Sequence, residues 1–114
     1  MKRNRKALTA ALRVVATAHT PAGVRLAQGL GARDCRYVEV RLDALLAGRG
    51  LKAEDIRQIG PPVLLTARHP AEGGIGNLSS SRRRVSLEEY LSLARAVDVE
   101  LRSVHSMARL LEAA

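Results

Sequence analysis

The sequence predicts an α/β fold in which strands and helices alternate and the strands run parallel. Three observations carry this. Tyr37-Val38-Glu39-Val40-Arg41-Leu42-Asp43 alternates strictly, with Val38, Val40 and Leu42 on one side and Glu39, Arg41 and Asp43 on the other. A period of two marks a β-strand, because successive side chains point to opposite faces. The same habit recurs at Val63 to Arg68 and at Val97 to Arg102. Helix-like stretches separate these runs, and strand-then-helix repetition argues for a parallel sheet.

In order, the first strand is expected over Leu12 to Ala18. Thr20 caps a helix with Pro21 at its first position, running from about Ala22 to Leu30, with Val24, Leu26, Ala27 and Leu30 on its apolar side. The second strand is Tyr37 to Asp43. Ala44 to Ala47 is a short connection or helical turn, broken by Gly48 and Gly50. Leu51 to Ile59 reads as a helix contacting the core through Leu51, Ile56 and Ile59. Gly60-Pro61-Pro62 ends it and leads into the third strand, Val63 to Arg68.

His69 to Asn77 is a loop by composition. Its glycines allow close backbone approach, but their spacing matches neither the dinucleotide fingerprint nor the P-loop. Ser86 is expected to cap a helix from Leu87 to Ala96, with Glu89 completing a capping box. Val97 to Leu101 is the fourth strand. Ser106 to Ala114 is a last helix with Met107, Leu110 and Leu111 inward. The result is four consecutive βα units over residues 12–114, preceded by a basic tail over 1–11.

The chain has 114 residues, enough for one domain, and 46% are apolar. Trp and Phe are absent, so the core is aliphatic and base stacking on aromatics is disfavoured. The net charge of +8 is nearly all arginine. Such charge can serve nucleic acid, an anionic surface or a small anion; the missing aromatics and the absence of a recognised nucleic-acid module argue against the first. Arg82-Arg83-Arg84 reads as a solvated helix start, and His69 and His105 as surface histidines. Cys35 stands alone, so no intrachain disulfide forms and nothing points to an oxidising compartment. The basic start followed by Ala7 to Ala18 mimics a leader. Arg13 interrupts it, no run suffices to span a bilayer, and the expected location is cytoplasmic.

Strand-end charges that turn inward are costly unless they pair with one another or hold a ligand. Alternation sends Glu39, Arg41 and Asp43 to one interior, with Leu64, Thr66 and Arg68 and with Asp98, Glu100 and Arg102. Arg41 is available to neutralise Glu39 or a neighbouring strand's acid. Arg68, at a strand tip, is best placed for an outside carboxylate, which its planar fork can grip with two hydrogen bonds.

Glu39-Val40-Arg41-Leu42-Asp43, then Thr66-Ala67-Arg68, then Glu72-Gly73-Gly74, with Val97-Asp98-Val99-Glu100-Leu101 after them, resemble type I 3-dehydroquinate dehydratase over about residues 12–114. The resemblance implies half of a (β/α)8 TIM barrel. It implies dehydration of 3-dehydroquinate to 3-dehydroshikimate in the shikimate pathway, which leads to chorismate and the aromatic amino acids. No metal or nucleotide cofactor is implied. Glu39, Arg41, Arg68 and Glu72 would contact substrate, and Thr17 would stand at a small-hydroxyl position. In that family a histidine on the fifth strand and a Schiff-base lysine on the sixth do the chemistry, and these four units match neither. The expectation is therefore a substrate-binding half, inactive alone, completed by a second copy or a complementing C-terminal half. A non-enzymatic module for a small hydroxy-carboxylate is the alternative.

Overall fold

The computed structural model describes residues 13–48 and 51–114; the whole basic tail over 1–11, and Leu12 at the expected start of the first strand, lie outside them. The element order is β1 (Val15–Ala18), α1 (Pro21–Gln28), β2 (Tyr37–Arg41), α2 (Leu42–Gly48), α3 (Ala53–Arg57), β3 (Val63–Thr66), α4 (Ser80–Tyr90), β4 (Ala96–Asp98) and α5 (Ala108–Ala113). The strands form one parallel sheet in the order β1-β2-β3-β4. The α/β class with a four-stranded parallel sheet is thus as expected from the sequence.

Consecutive order has a geometric consequence. Each crossover adds the next strand on the same side of the last, and right-handed crossovers then lay successive helices on one face. Burial agrees. Val38, Val40 and Leu65 are fully buried, and Ala18, Val63 and Ala67 nearly so. They share a core with Val24 and Ala27 of α1, Leu42 and Leu45 of α2, Ile56 of α3, Leu87 and Tyr90 of α4, and Leu110 of α5. Each buried Val or Leu stabilises the fold by about 1.5–3 kcal/mol relative to exposure. The opposite face is more open: Val15 is 45% exposed, and Tyr37, Leu64 and Ala96 are half-buried.

Several boundaries differ from the sequence reading. β2 stops at Arg41, and Leu42-Asp43 open α2 instead of extending the strand. Leu42 and Leu45 are three apart and both buried, so helical spacing prevails over the period of two. The strand at 63 stops at Thr66 and that at 96 stops at Asp98, leaving Arg68 and Glu100 in the segments just beyond.

Ser86 is not an N-cap. Ser79 caps α4, its hydroxyl accepting from the Arg82 amide at 3.2 Å, while Ser86 is buried in mid-helix and donates to the Arg83 carbonyl at 2.8 Å. Arg83, Ser86, Leu87 and Tyr90 form the inward stripe. The expected helix from Leu87 to Ala96 is therefore displaced about a turn or two towards the N-terminus. Leu26 is 76% exposed and Leu111 41% exposed, so neither belongs to the core side of its helix. At α1 the expected start holds, with Thr20 Oγ1 accepting from the Gly23 amide at 3.0 Å and Pro21 at the first turn.

Candidate functional site

The open face and the tips of β2, β3 and β4 gather the charged residues that alternation picked out. Register explains the meeting. Thr17 pairs with Glu39 across β1 and β2, Arg41 with Thr66 across β2 and β3, and Thr66 with Asp98 across β3 and β4. Parallel neighbours at matched register point the same way, so these side chains share one face.

Glu39 is held from both sides. The Thr17 hydroxyl donates to Oε1 at 2.9 Å and the Thr66 hydroxyl donates to Oε2 at 2.7 Å. The small hydroxyl expected at Thr17 is thus in the site. Thr66 is fully buried, so its hydroxyl needs this acceptor.

Arg41 makes its direct ion pair with neither Glu39 nor Asp98, although both charges act on it at longer range. It grips Asp43 two residues on, Nε to Oδ1 at 2.9 Å and Nη2 to Oδ2 at 2.7 Å. Asp43 lies in the first turn of α2 and still meets the Arg41 fork at the end of β2. Asp43 is fully buried. It also accepts from the Arg68 amide at 3.1 Å and the Ile75 amide at 2.9 Å. Burial pushes this carboxyl up, but the Arg41 hydrogen bonds and the two amides outweigh it and hold it below the usual aspartate value. The hydrogen bond to Asp43 raises Arg41 in turn, against desolvation. Asp43 is therefore a structural anchor that pins the β3–α4 loop at Arg68, near its start, and at Ile75, in its middle.

Arg68 lies among three carboxylates. Its Nη2 donates to Asp98 Oδ2 at 2.6 Å and lies 3.9 Å from Glu39 Oε2, and its Nη1 lies 3.9 Å from Glu100 Oε1. Desolvation would lower its pKa, but the Asp98 hydrogen bond and the charges of Asp98 and Glu100 raise it further. Its side chain keeps 22% exposure, so Arg68 is partly accessible to solvent. Glu100 is nearly buried, at 4% side-chain exposure. It accepts from the His69 amide at 2.8 Å and stands 3.6 Å from Arg83 Nη1.

Glu72 follows a different course. It ends a 3-10 turn, Pro70–Glu72, that His69 caps by accepting the Ala71 amide on Nδ1 at 2.9 Å. Gly73 follows in the left-handed region at φ 91°, where a side chain would be strained. Glu72 pairs with Arg102 at 3.3 Å, both groups being about half exposed. Arg102 therefore does not turn into the sheet interior as the strand reading had it; the chain leaves β4 at Asp98 and makes a 3-10 turn over Leu101–Ser103. Glu39, Arg41 and Arg68 are brought together, whereas Glu72 is held at the rim by the segment after β4.

The residue that sequence reasoning missed is Arg83. It is not solvated: it is 1% exposed and reaches Ser103 Oγ and Ser80 Oγ, both at 3.2 Å. The three-arginine run therefore does not present one basic patch. Its signal lay in the spacing of Arg83, Ser86, Leu87 and Tyr90, an i, i+3, i+4, i+7 stripe that includes a charge. Lys52, the lysine among the described residues, is exposed at the start of α3. Among the described residues, no group of three or more His, Cys, Asp and Glu is placed to hold a metal ion. No helix among them is long and apolar enough to cross a membrane.

Arg68 offers a positive fork, while Glu39 and Asp98 offer acceptors to hydroxyl donors. A separate outer groove of about 610 Å³ lies between α2 and α4, lined by Leu46, Leu78, Val85 and Glu89 among others; it holds none of these residues. No family model matches the sequence, and no curated protein matches it.

Proposed function

We propose that this chain carries the substrate-binding half of a type I 3-dehydroquinate dehydratase-like barrel, a site for a cyclic hydroxy-carboxylate at the tips of its first four strands. One observation carries the reading. Arg68 stands at the end of β3 and meets acids from both neighbouring strands, Glu39 and Asp98, on the open face of a consecutively ordered parallel sheet. Barrel enzymes assemble their sites from side chains of several strands at that end. The E-x-R-x-D strand, the T-x-R strand end and the E-G-G loop support the family. The half-barrel reading adds that helices cover one face and the other is left as an inner wall.

On this reading Arg68 binds the carboxylate, exchanging part of its contact with Asp98 for the ligand. Glu39, fixed by Thr17 and Thr66, accepts from a ring hydroxyl. Glu72 closes the rim from its glycine loop. Arg41 acts through Asp43 by holding the loop that bears Arg68. The edges of the sheet, β1 and β4, are where a second copy or a complementing C-terminal half would add strands.

Dehydration by this family requires an amine that is partly neutral near pH 7, through desolvation or a neighbouring cation. The exposed Lys52 has neither the setting nor the position. Among the described residues no lysine meets this requirement, so on this reading the four strands contribute binding of a hydroxy-carboxylate rather than the reaction. Calorimetric titration with quinate, repeated on Arg68→Met, tests the binding. Saturable binding that is lost in the variant supports the proposal, and its absence in the parent chain refutes it. Borohydride trapping with 3-dehydroquinate tests the chemistry, and a mass-detected lysine adduct would contradict the inactive reading.

A further inference from the structure

We infer that Arg83, a residue of the helical layer, is a positioning residue for the anion site: acting through Glu100, it sets the charge and the orientation of Arg68. This rests on the hydroxy-carboxylate reading above. A guanidinium at 1% exposure is expensive to bury without full pairing. Arg83 is not fully paired. Its two terminal nitrogens donate to Ser103 and Ser80, and Nη1 lies 3.6 Å from Glu100, while Nε is buried without a hydrogen-bond partner. A core stripe on α4 that tolerates this cost, where Leu or Met would pack, points to a role for the charge.

That role follows from what Glu100 touches. Its Oε1 is shared by the His69 amide at 2.8 Å, Arg83 at 3.6 Å and Arg68 at 3.9 Å. Arg68 faces three acids: Glu39, Asp98 and Glu100. Arg41 is bonded to Asp43 and acts on this cluster only at longer range, so without Arg83 the three acids would over-neutralise Arg68 and repel an incoming carboxylate. Glu100, left with Arg68 as its ion-pair partner among the described residues, would also draw the fork away from Asp98. Arg83 satisfies Glu100 from the helical layer, so Arg68 stays turned to Asp98 and its partly exposed side chain remains available to an anion.

The experiment uses the full chain with Arg83→Met, Arg83→Lys, Glu100→Gln and the double variant Arg83→Met/Glu100→Gln, titrated with quinate and followed by thermal unfolding. Removing one cation near the bound carboxylate is expected to weaken binding about ten-fold in Arg83→Met. Arg83→Lys keeps the charge and is expected to bind within about three-fold of the parent. The double variant is expected to recover most of the loss, because Glu100→Gln removes the charge that Arg83 balances. Loss of thermal stability in Arg83→Met with unchanged affinity overturns the inference, as does a double variant no better than Arg83→Met.

A ligand-independent readout separates this result from failure of the binding proposal itself. The 15Nε–1Hε signal of Arg68 is expected to be sharp in the parent, broadened in Arg83→Met and sharp again in the double variant. If quinate does not bind the parent, the binding proposal falls and this signal alone decides; an Arg68 signal identical in all variants overturns the positioning role.

Discussion

Replacing Asp43 with alanine gives the most informative test of how the strand tips are built. The carboxylate is fully buried and accepts four hydrogen bonds: two from Arg41 at 2.9 and 2.7 Å, and one each from the amides of Arg68 and Ile75 at 3.1 and 2.9 Å. Deleting it strands a guanidinium that is 20% exposed and leaves two loop amides without their acceptor. Removing one member of a buried ion pair costs about 3–5 kcal/mol. A domain of this size has a total stability of about 5–15 kcal/mol. Asp43→Ala is therefore expected to lose about 3–5 kcal/mol in urea unfolding followed by far-ultraviolet circular dichroism. Amide exchange at Arg68 and Ile75 should rise in parallel.

The pH dependence has a definite sign. Asp43 titrates below its ordinary value of 3.8 in the folded chain. A carboxyl depressed by folding stabilises fully above its unfolded pKa and loses that contribution as pH falls through the folded pKa. The difference between parent and Asp43→Ala should be constant near neutrality and shrink below about pH 4. A loss under about 1 kcal/mol, with exchange at Arg68 and Ile75 unchanged, would refute the anchoring role.

Other substitutions probe separate links. Thr66→Val removes the buried donor to Glu39 and should cost about 1 kcal/mol, with weaker quinate binding by calorimetry; unchanged affinity would show that Glu39 needs no such fixing. Ser79→Ala should cost about 1 kcal/mol by loss of the N-cap, while Ser86→Ala should change stability by less than about 0.5 kcal/mol in the same urea assay; the reverse order would restore the cap to Ser86. Glu72→Gln breaks a half-exposed ion pair and should leave stability within about 0.5 kcal/mol of the parent, yet weaken quinate binding if the loop closes the rim.

The strict alternation at Val38 to Arg41 was legible because one face of β2 is fully buried and the other carries charge. Thr20-Pro21 was legible because a cap and a fixed φ act locally. Asp43 was not, since Leu42-Asp43 continues the period of two set by Val38 and Val40 while Leu42 and Leu45 have helical spacing, and only the packing of Leu42 and Leu45 decides. Ser79 and Ser86 are equally good caps in isolation. The inward stripe through Arg83, Leu87 and Tyr90 chooses between them, and it was hidden by reading arginine as solvated. Leu101 shows the same limit in reverse: 92% exposed, it follows a strand that ends three residues earlier than its pattern suggests. At the site, Glu39, Arg68 and Asp98 were legible as charges on one side of the two-residue alternation, whereas the Glu100–Arg83 contact spans a strand end and a helix and has no local signature.

The most direct measurement is a quinate titration of the 15N-labelled chain, following backbone amide shifts. The account predicts saturable changes centred on Glu39, Arg41, Thr66, Arg68 and Asp98, abolished by Arg68→Met. Saturable shifts in the outer groove around Leu46 and Val85, or none at the strand tips, would contradict it.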